Sequence, residues 1–119
     1  MTAANYNFTV DAGSKFSRIF RCKDSAGVAI DITGASIAMM ARTSYSSVDA
    51  VLSLSTADGT ITLSNPTNGE FTITIAAATT TALGYTLPTK LVYDIERTLS
   101  GVVIRLLYGT VTITPEATR

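Results

Sequence analysis

Apolar residues fall on every second position along most of the chain, and that period marks strands that bury one face and wet the other. Tyr6, Phe8 and Val10 alternate with Asn5, Asn7 and Thr9 and predict a first strand, after which Asp11, Ala12, Gly13 and Ser14 supply a turn. Residues 15–23 predict a second strand, with Phe16, Phe20 and Cys22 on one face and Ser17, Arg21 and Lys23 on the other. Arg18 and Ile19 interrupt that pattern, so both faces are expected to be partly covered. Residues 24–27 read as a tight turn into a short extended piece carrying Val28, Ile30 and Ile32, closed by Thr33 and Gly34. Residues 36–42 are apolar on both faces, which predicts a central strand, and the polar residues 43–47 that follow predict an exposed loop.

Further along, Leu52 and Leu54 lie in a strand over residues 48–55, and Asp58-Gly59 is a hairpin signal before a strand over residues 60–64. Residues 65–69 form another turn, and Phe71, Ile73 and Ile75 then alternate with Thr72 and Thr74. Residues 76–83 hold the one helical bias, limited to a turn or two by three consecutive threonines and Gly84. Leu91, Tyr93 and Ile95 begin the next strand, and Ser100-Gly101 turns the chain into the last. There Val102, Ile104, Leu106 and Tyr108 are expected on one face and Val103, Arg105 and Leu107 on the other, with Gly109 marking a bulge or a close approach. Pro115 ends pairing before a short polar tail, residues 116–119. Seven to nine strands separated by turns predict an all-β, two-sheet antiparallel sandwich with one helical turn near residues 77–83, and a single domain over residues 1–119.

Composition sharpens this picture. Twenty Thr and eleven Ser make up about a quarter of the chain, against three Lys and three Glu, which is surface chemistry for strands and not for helices. Nine basic and nine acidic side chains cancel, so the general attraction on which most nucleic-acid binders rely is missing, and no nucleic-acid partner is expected. No stretch is long enough to span a membrane, and residues 1–5 lack the charged start of an export signal, so no membrane partner is expected either. His is absent and Cys occurs once, which excludes His-based triads, His-ligated metals and disulfide frameworks; Cys22 reads as a small half-buried hydrophobe in a strand.

Candidate chemistry is sparse, and no catalytic residue, cofactor or metal ligand is assigned. Asp11, Asp24, Asp31, Asp49 and Asp58 fall at turns and read as caps, the lesser alternative being a calcium site built from neighbouring loops. Asp94 and Glu96 share a strand face near Arg97, with Arg42 or Arg105 in reach across the sheet, and read as an ion pair ahead of a catalytic group. Arg18, Arg21 and Lys23, interleaved with Phe16 and Phe20, read as charge that discourages edge pairing ahead of a phosphate track. Tyr45 and Tyr85 fall in loops, where they either meet a sugar or protein partner or fold back on the sandwich.

The order of short motifs carries a resemblance. Asn7-Phe8-Thr9, then Gly13, Phe16 and Arg18, then Lys23-Asp24 with Gly27, and Ile30-Asp31-Ile32-Thr33-Gly34 open the chain. Asn68-Gly69-Glu70-Phe71, Thr80-Thr81-Ala82-Leu83, Val92-Tyr93-Asp94-Ile95-Glu96 and Arg105-Leu106-Leu107-Tyr108-Gly109, with Val111 and Pro115, continue it. Nearly the whole chain resembles the immunoglobulin-like N-terminal domain of phage baseplate upper proteins and short stand-alone phage proteins of the same pattern. The resemblance implies an immunoglobulin-like fold and a non-enzymatic virion component of a tailed bacteriophage. Its partners would be other virion proteins and copies of itself. The longer baseplate proteins continue into a fibre or receptor-binding region whereas this sequence stops at Arg119, which turns the expectation toward an adaptor or accessory subunit of tail, baseplate or neck. A capsid decoration protein and a carbohydrate-binding or adhesive module are the alternatives. Residues 5–10 and the segment after Gly109 are expected near sheet edges and in subunit contacts. The interface candidates are therefore Tyr6, Phe8, Val111 and Ile113, with Tyr45 and Tyr85 on the loops.

Overall fold

A computed structural model describes residues 3–117; Met1, Thr2 and the Thr118-Arg119 end of the expected polar tail lie outside the described residues. The strands are β1 (Ala4–Asn5), β2 (Phe8–Asp11), β3 (Phe16–Arg21), β4 (Ser36–Arg42), β5 (Leu52–Ser55), β6 (Ile61–Asn65), β7 (Glu70–Ile75), β8 (Thr89–Leu99) and β9 (Val102–Thr114). The single α-helix among the described residues, α1 (Ala77–Thr81), is the expected helical turn. One sheet runs β1-β9-β8-β4-β5 with β2 also on β9, and the other runs β3-β7-β6. This is an all-β sandwich whose strand order follows the immunoglobulin pattern: β3, β7 and β6 correspond to B, E and D, and β4, β8 and β9 to C, F and G, with β5 added beside C. The inner faces bury one continuous core, including Ile37, Met39, Leu91, Tyr93 and Ile95 from the larger sheet and Phe71, Ile73 and Ile75 from the smaller.

The structure departs from the expected pattern in informative places. Residues 5–10 are not one strand, and their pairing with β9 is parallel. Between β1 and β2 the Asn7 side chain takes over a backbone role, its Oδ1 accepting from Thr110 N at 3.0 Å, while Tyr6 N donates to Tyr108 O. Gly109 permits this close approach, since a Cβ there would lie 2.5 Å from the Tyr6 carbonyl oxygen and 2.6 Å from Asn7 Oδ1. The bulge falls elsewhere: Ile95 is opposite Leu107 and Glu96 opposite Arg105, so Leu106 is the extra residue. It flips the inward parity, and Leu106 and Leu107 are both buried, while Gly109, Val111 and Ile113 face the core and Tyr108 does not.

Asp58-Gly59 makes no hairpin. β5 pairs with β4 and β6 with β7, so the chain changes sheets there. Asp58 Oδ1 accepts from Thr60 N and Thr60 Oγ1, and Thr60 Oγ1 accepts from Ser55 N, which folds the corner. β4 is flanked on both sides as expected, but its second apolar face is not covered, and Met40 is exposed. The segment carrying Val28, Ile30 and Ile32 is a loop tied by Ile30 N to Cys22 O and Ile32 N to Pro66 O, with Ile32 buried.

Candidate functional site

One side of the sandwich is open. There the short β1 and the edge strand β3 flank a groove of about 340 Å³, lined by residues 4–6, residues 19–21 and Leu107. Aromatic rings form its base and rim: Tyr6 meets Phe20 edge-on at 5.7 Å between centroids and lies 6.0 Å from Phe8, and Phe20 stacks on Phe71 at 5.6 Å. The buried Tyr93 hydroxyl donates to the Tyr6 carbonyl, which anchors the kink that carries Tyr6 to the rim. Burial foremost, with the neighbouring Tyr6 and Tyr45 hydroxyls, pushes Tyr93 well above the ordinary tyrosine range, so it remains a donor.

Among the described residues the backbone of β3 is unpaired on the groove side, and alternation shows which groups face outward. Cys22 N donates to Gly69 O, and Thr74 N donates to Thr60 O. In an antiparallel ladder bonded and non-bonded pairs alternate. With Phe20 opposite Phe71 and Arg18 opposite Ile73, the even residues of β3 therefore bond to β7, while Thr72 and Thr74 serve β6. Ser17, Ile19 and Arg21 consequently turn their N–H and C=O groups outward. Ile19 is 48% exposed, so the expectation that both faces of this strand are partly covered fails on its outer face.

The basic residues of β3 do not form a track. Arg18 lies over the Phe16 and Phe8 rings at 5.2 and 5.9 Å and donates to Tyr6 Oη at 3.2 Å, whereas Arg21 pairs with Glu70 at 3.4 Å from the outer face. On the larger sheet's outer face, Asp94 pairs with Arg105 at 3.5 Å. Arg97 is not beside them: it points inward from β8 opposite Ile37, and its Nε has no partner among the described residues. Arg42 is held instead by the Ser47 and Val48 carbonyls at 3.2 and 2.7 Å.

The structure separates the sequence-predicted interface residues. Phe8, Val111 and Ile113 point into the core between the sheets with almost no surface to present, and β2 pairs along β9 and so removes it from the edge. Tyr6 is partly exposed at the open groove. Tyr45, 65% exposed, overhangs a second groove of about 240 Å³ on the larger sheet's outer face, beside Arg42, Asp94 and Glu96. Tyr85 folds back on the sandwich, half-buried over a hollow it shares with Thr80 and Glu116. The sequence reading took the charge of β3 as a guard against edge pairing, but it read the break at Arg18 and Ile19 as cover on both faces and so did not place Ile19 on a free edge.

Other candidate chemistry resolves as structure. Asp24 and Asp31 cap their turns, and hydrogen bonds from the Thr33 and Thr60 side chains, then from their backbone N–H groups, hold Asp31 and Asp58 below the ordinary carboxylate range. Burial pushes the Cys22 thiol up to about 11, only partly offset by Arg97, so it stays protonated near neutral pH. No group of three or more His, Cys, Asp or Glu among the described residues is placed to hold a metal ion. No family model matches the chain, and no curated protein matches it.

Proposed function

We propose that this chain is a non-enzymatic structural protein of a bacteriophage virion, an adaptor or accessory subunit of tail, baseplate or neck. It works by binding other virion proteins and copies of itself. The observation that carries the binding of other virion proteins is the open side, where a strand edge unpaired among the described residues adjoins an aromatic-floored groove with Tyr6 and Ile19 at its rim. The virion half rests on the resemblance of the ordered motifs to phage baseplate domains. Closed-ring or two-fold arrangements of copies are the default for such subunits. Mass spectrometry of purified particles from a phage encoding the chain tests the reading: recovery in stoichiometric amounts supports it, and absence from the particle ends it.

A second reading, a carbohydrate-binding or adhesive module, is favoured by Tyr45, whose exposed ring stands beside Asp94 and Glu96. An aromatic face with carboxylate acceptors suits a sugar ring. Binding of the protein to a glycan array, lost in Tyr45→Ala, would move the function to that face.

A further inference from the structure

The geometry points to the β3 edge as the seat of an acidic, extended segment from another protein, added as a fourth strand to the β3-β7-β6 sheet. This deepens the assembly reading and rests on it. Ser17, Ile19 and Arg21 offer alternating outward N–H and C=O groups, the requirement for strand addition. The groove beside them accepts a side chain from the guest's inner face against Phe20 and Leu107, and exposed Ile19 meets an apolar side chain on its outer face.

Charge decides the occupant. Residues 15–23 contain Lys15, Arg18, Arg21 and Lys23 and no carboxylate, and among the described residues only Arg21 of these has an acidic partner, Glu70. A second copy fits badly. The antiparallel register that uses all three free residues sets Ile19 against Ile19 and Ser17 against Arg21, which brings Lys15 opposite Lys23 at both ends. Like charges directly opposite destabilise a strand pair, whereas carboxylates at those positions would be matched. The same lysines therefore exclude self-pairing and select an acidic guest.

The test uses the intact chain and two synthetic peptides, one alternating Glu with Val and the other Lys with Val. The acidic peptide is expected to slow amide exchange at Ser17, Ile19 and Arg21 and to bind about tenfold or more tightly than the basic one at low salt, a gap that narrows as salt rises. Ile19→Pro removes an N–H that has no partner among the described residues, so it should fold and lose binding. Lys15→Glu with Lys23→Glu should fold and lose the preference for the acidic peptide, which keeps the test decisive if the proline variant does not fold. Failure of the acidic peptide to bind, equal binding of both peptides, or binding retained by a folded Ile19→Pro would overturn the inference. So would concentration-dependent protection of the three amides without peptide, which would assign the edge to a second copy. Particle mass spectrometry is independent of these results. A chain present in virions whose β3 takes no acidic strand defeats this inference alone, and a chain absent from virions that still binds the acidic peptide defeats the virion reading alone.

Discussion

β7 and β3 lie side by side in the smaller sheet, each six residues long, yet they are finished differently. β7 buries Phe71, Ile73 and Ile75 and turns only Thr72, Thr74 and the paired Glu70 outward, with neighbours bonded on both sides. β3 buries only Phe20 fully, carries Arg18 on its inner face and leaves Ser17, Ile19 and Arg21 with no outward backbone bond among the described residues. Threonine suffices for the outer face of a central strand, which has no free edge to protect. An edge strand needs charge if it is to remain available without pairing with itself. The difference lies in what each strand must refuse, since both turn alternate positions toward one core but β3 leaves Arg18 exposed at the open side.

The comparison breaks most readily in the core. Phe71→Ala should destabilise by about 3–5 kcal/mol in denaturant unfolding, against about 0.5 kcal/mol or less for Ile19→Ala. Equal losses would mean that β3 is covered. Proline reads the ladder itself. Thr72→Pro removes a bond to β6 and orphans a carbonyl, at a cost above about 2 kcal/mol, whereas Ile19→Pro should stay within about 1 kcal/mol by the same measurement. A double-mutant cycle on Arg21 and Glu70, which joins the two strands through an exposed guanidinium and a partly covered carboxylate, should return about 0.2–1 kcal/mol.

The smallest effect concerns the corner that delivers β6 to the far side of β7. Asp31 and Asp58 have depressed carboxyl values in the folded chain, so their stabilisation is present above the unfolded value of about 3.9 and is lost as pH falls through the lower folded value. The unfolding midpoint should accordingly fall below about pH 4, and Asp58→Ala should flatten that decline. An unchanged acid limb in the variant would remove Asp58 from the account of the corner.

Much of the fold was legible because burial imposes alternation directly. β4 has the expected bounds, the Ser100-Gly101 turn joins β8 to β9, and the Asp94–Arg105 pair and helical turn are present. Alternation does not say which strand lies alongside. Asp58-Gly59 has hairpin chemistry, yet Leu54 settles opposite Met39 and Ile61 opposite Ile73 in the other sheet. Nor does it reveal a bulge, since Leu106 and Leu107 are equally apolar and either parity reads well until Glu96 is seen opposite Arg105. Val111 and Ile113 looked like edge residues because the parallel return of β2 onto β9 depends on contacts about a hundred residues apart in the chain. The open edge was half visible: the charge of β3 was read as a guard against pairing, but its unpaired face could be known only from the ladder.

Amide hydrogen exchange along β3 in the free protein tests this most directly. If the edge is open, Arg18 and Phe20 exchange slowly and Ser17, Ile19 and Arg21 exchange fast, and added acidic peptide slows those three alone. Slow exchange at Ile19 in the dilute free protein would contradict the account, because something in the chain itself would already occupy the edge.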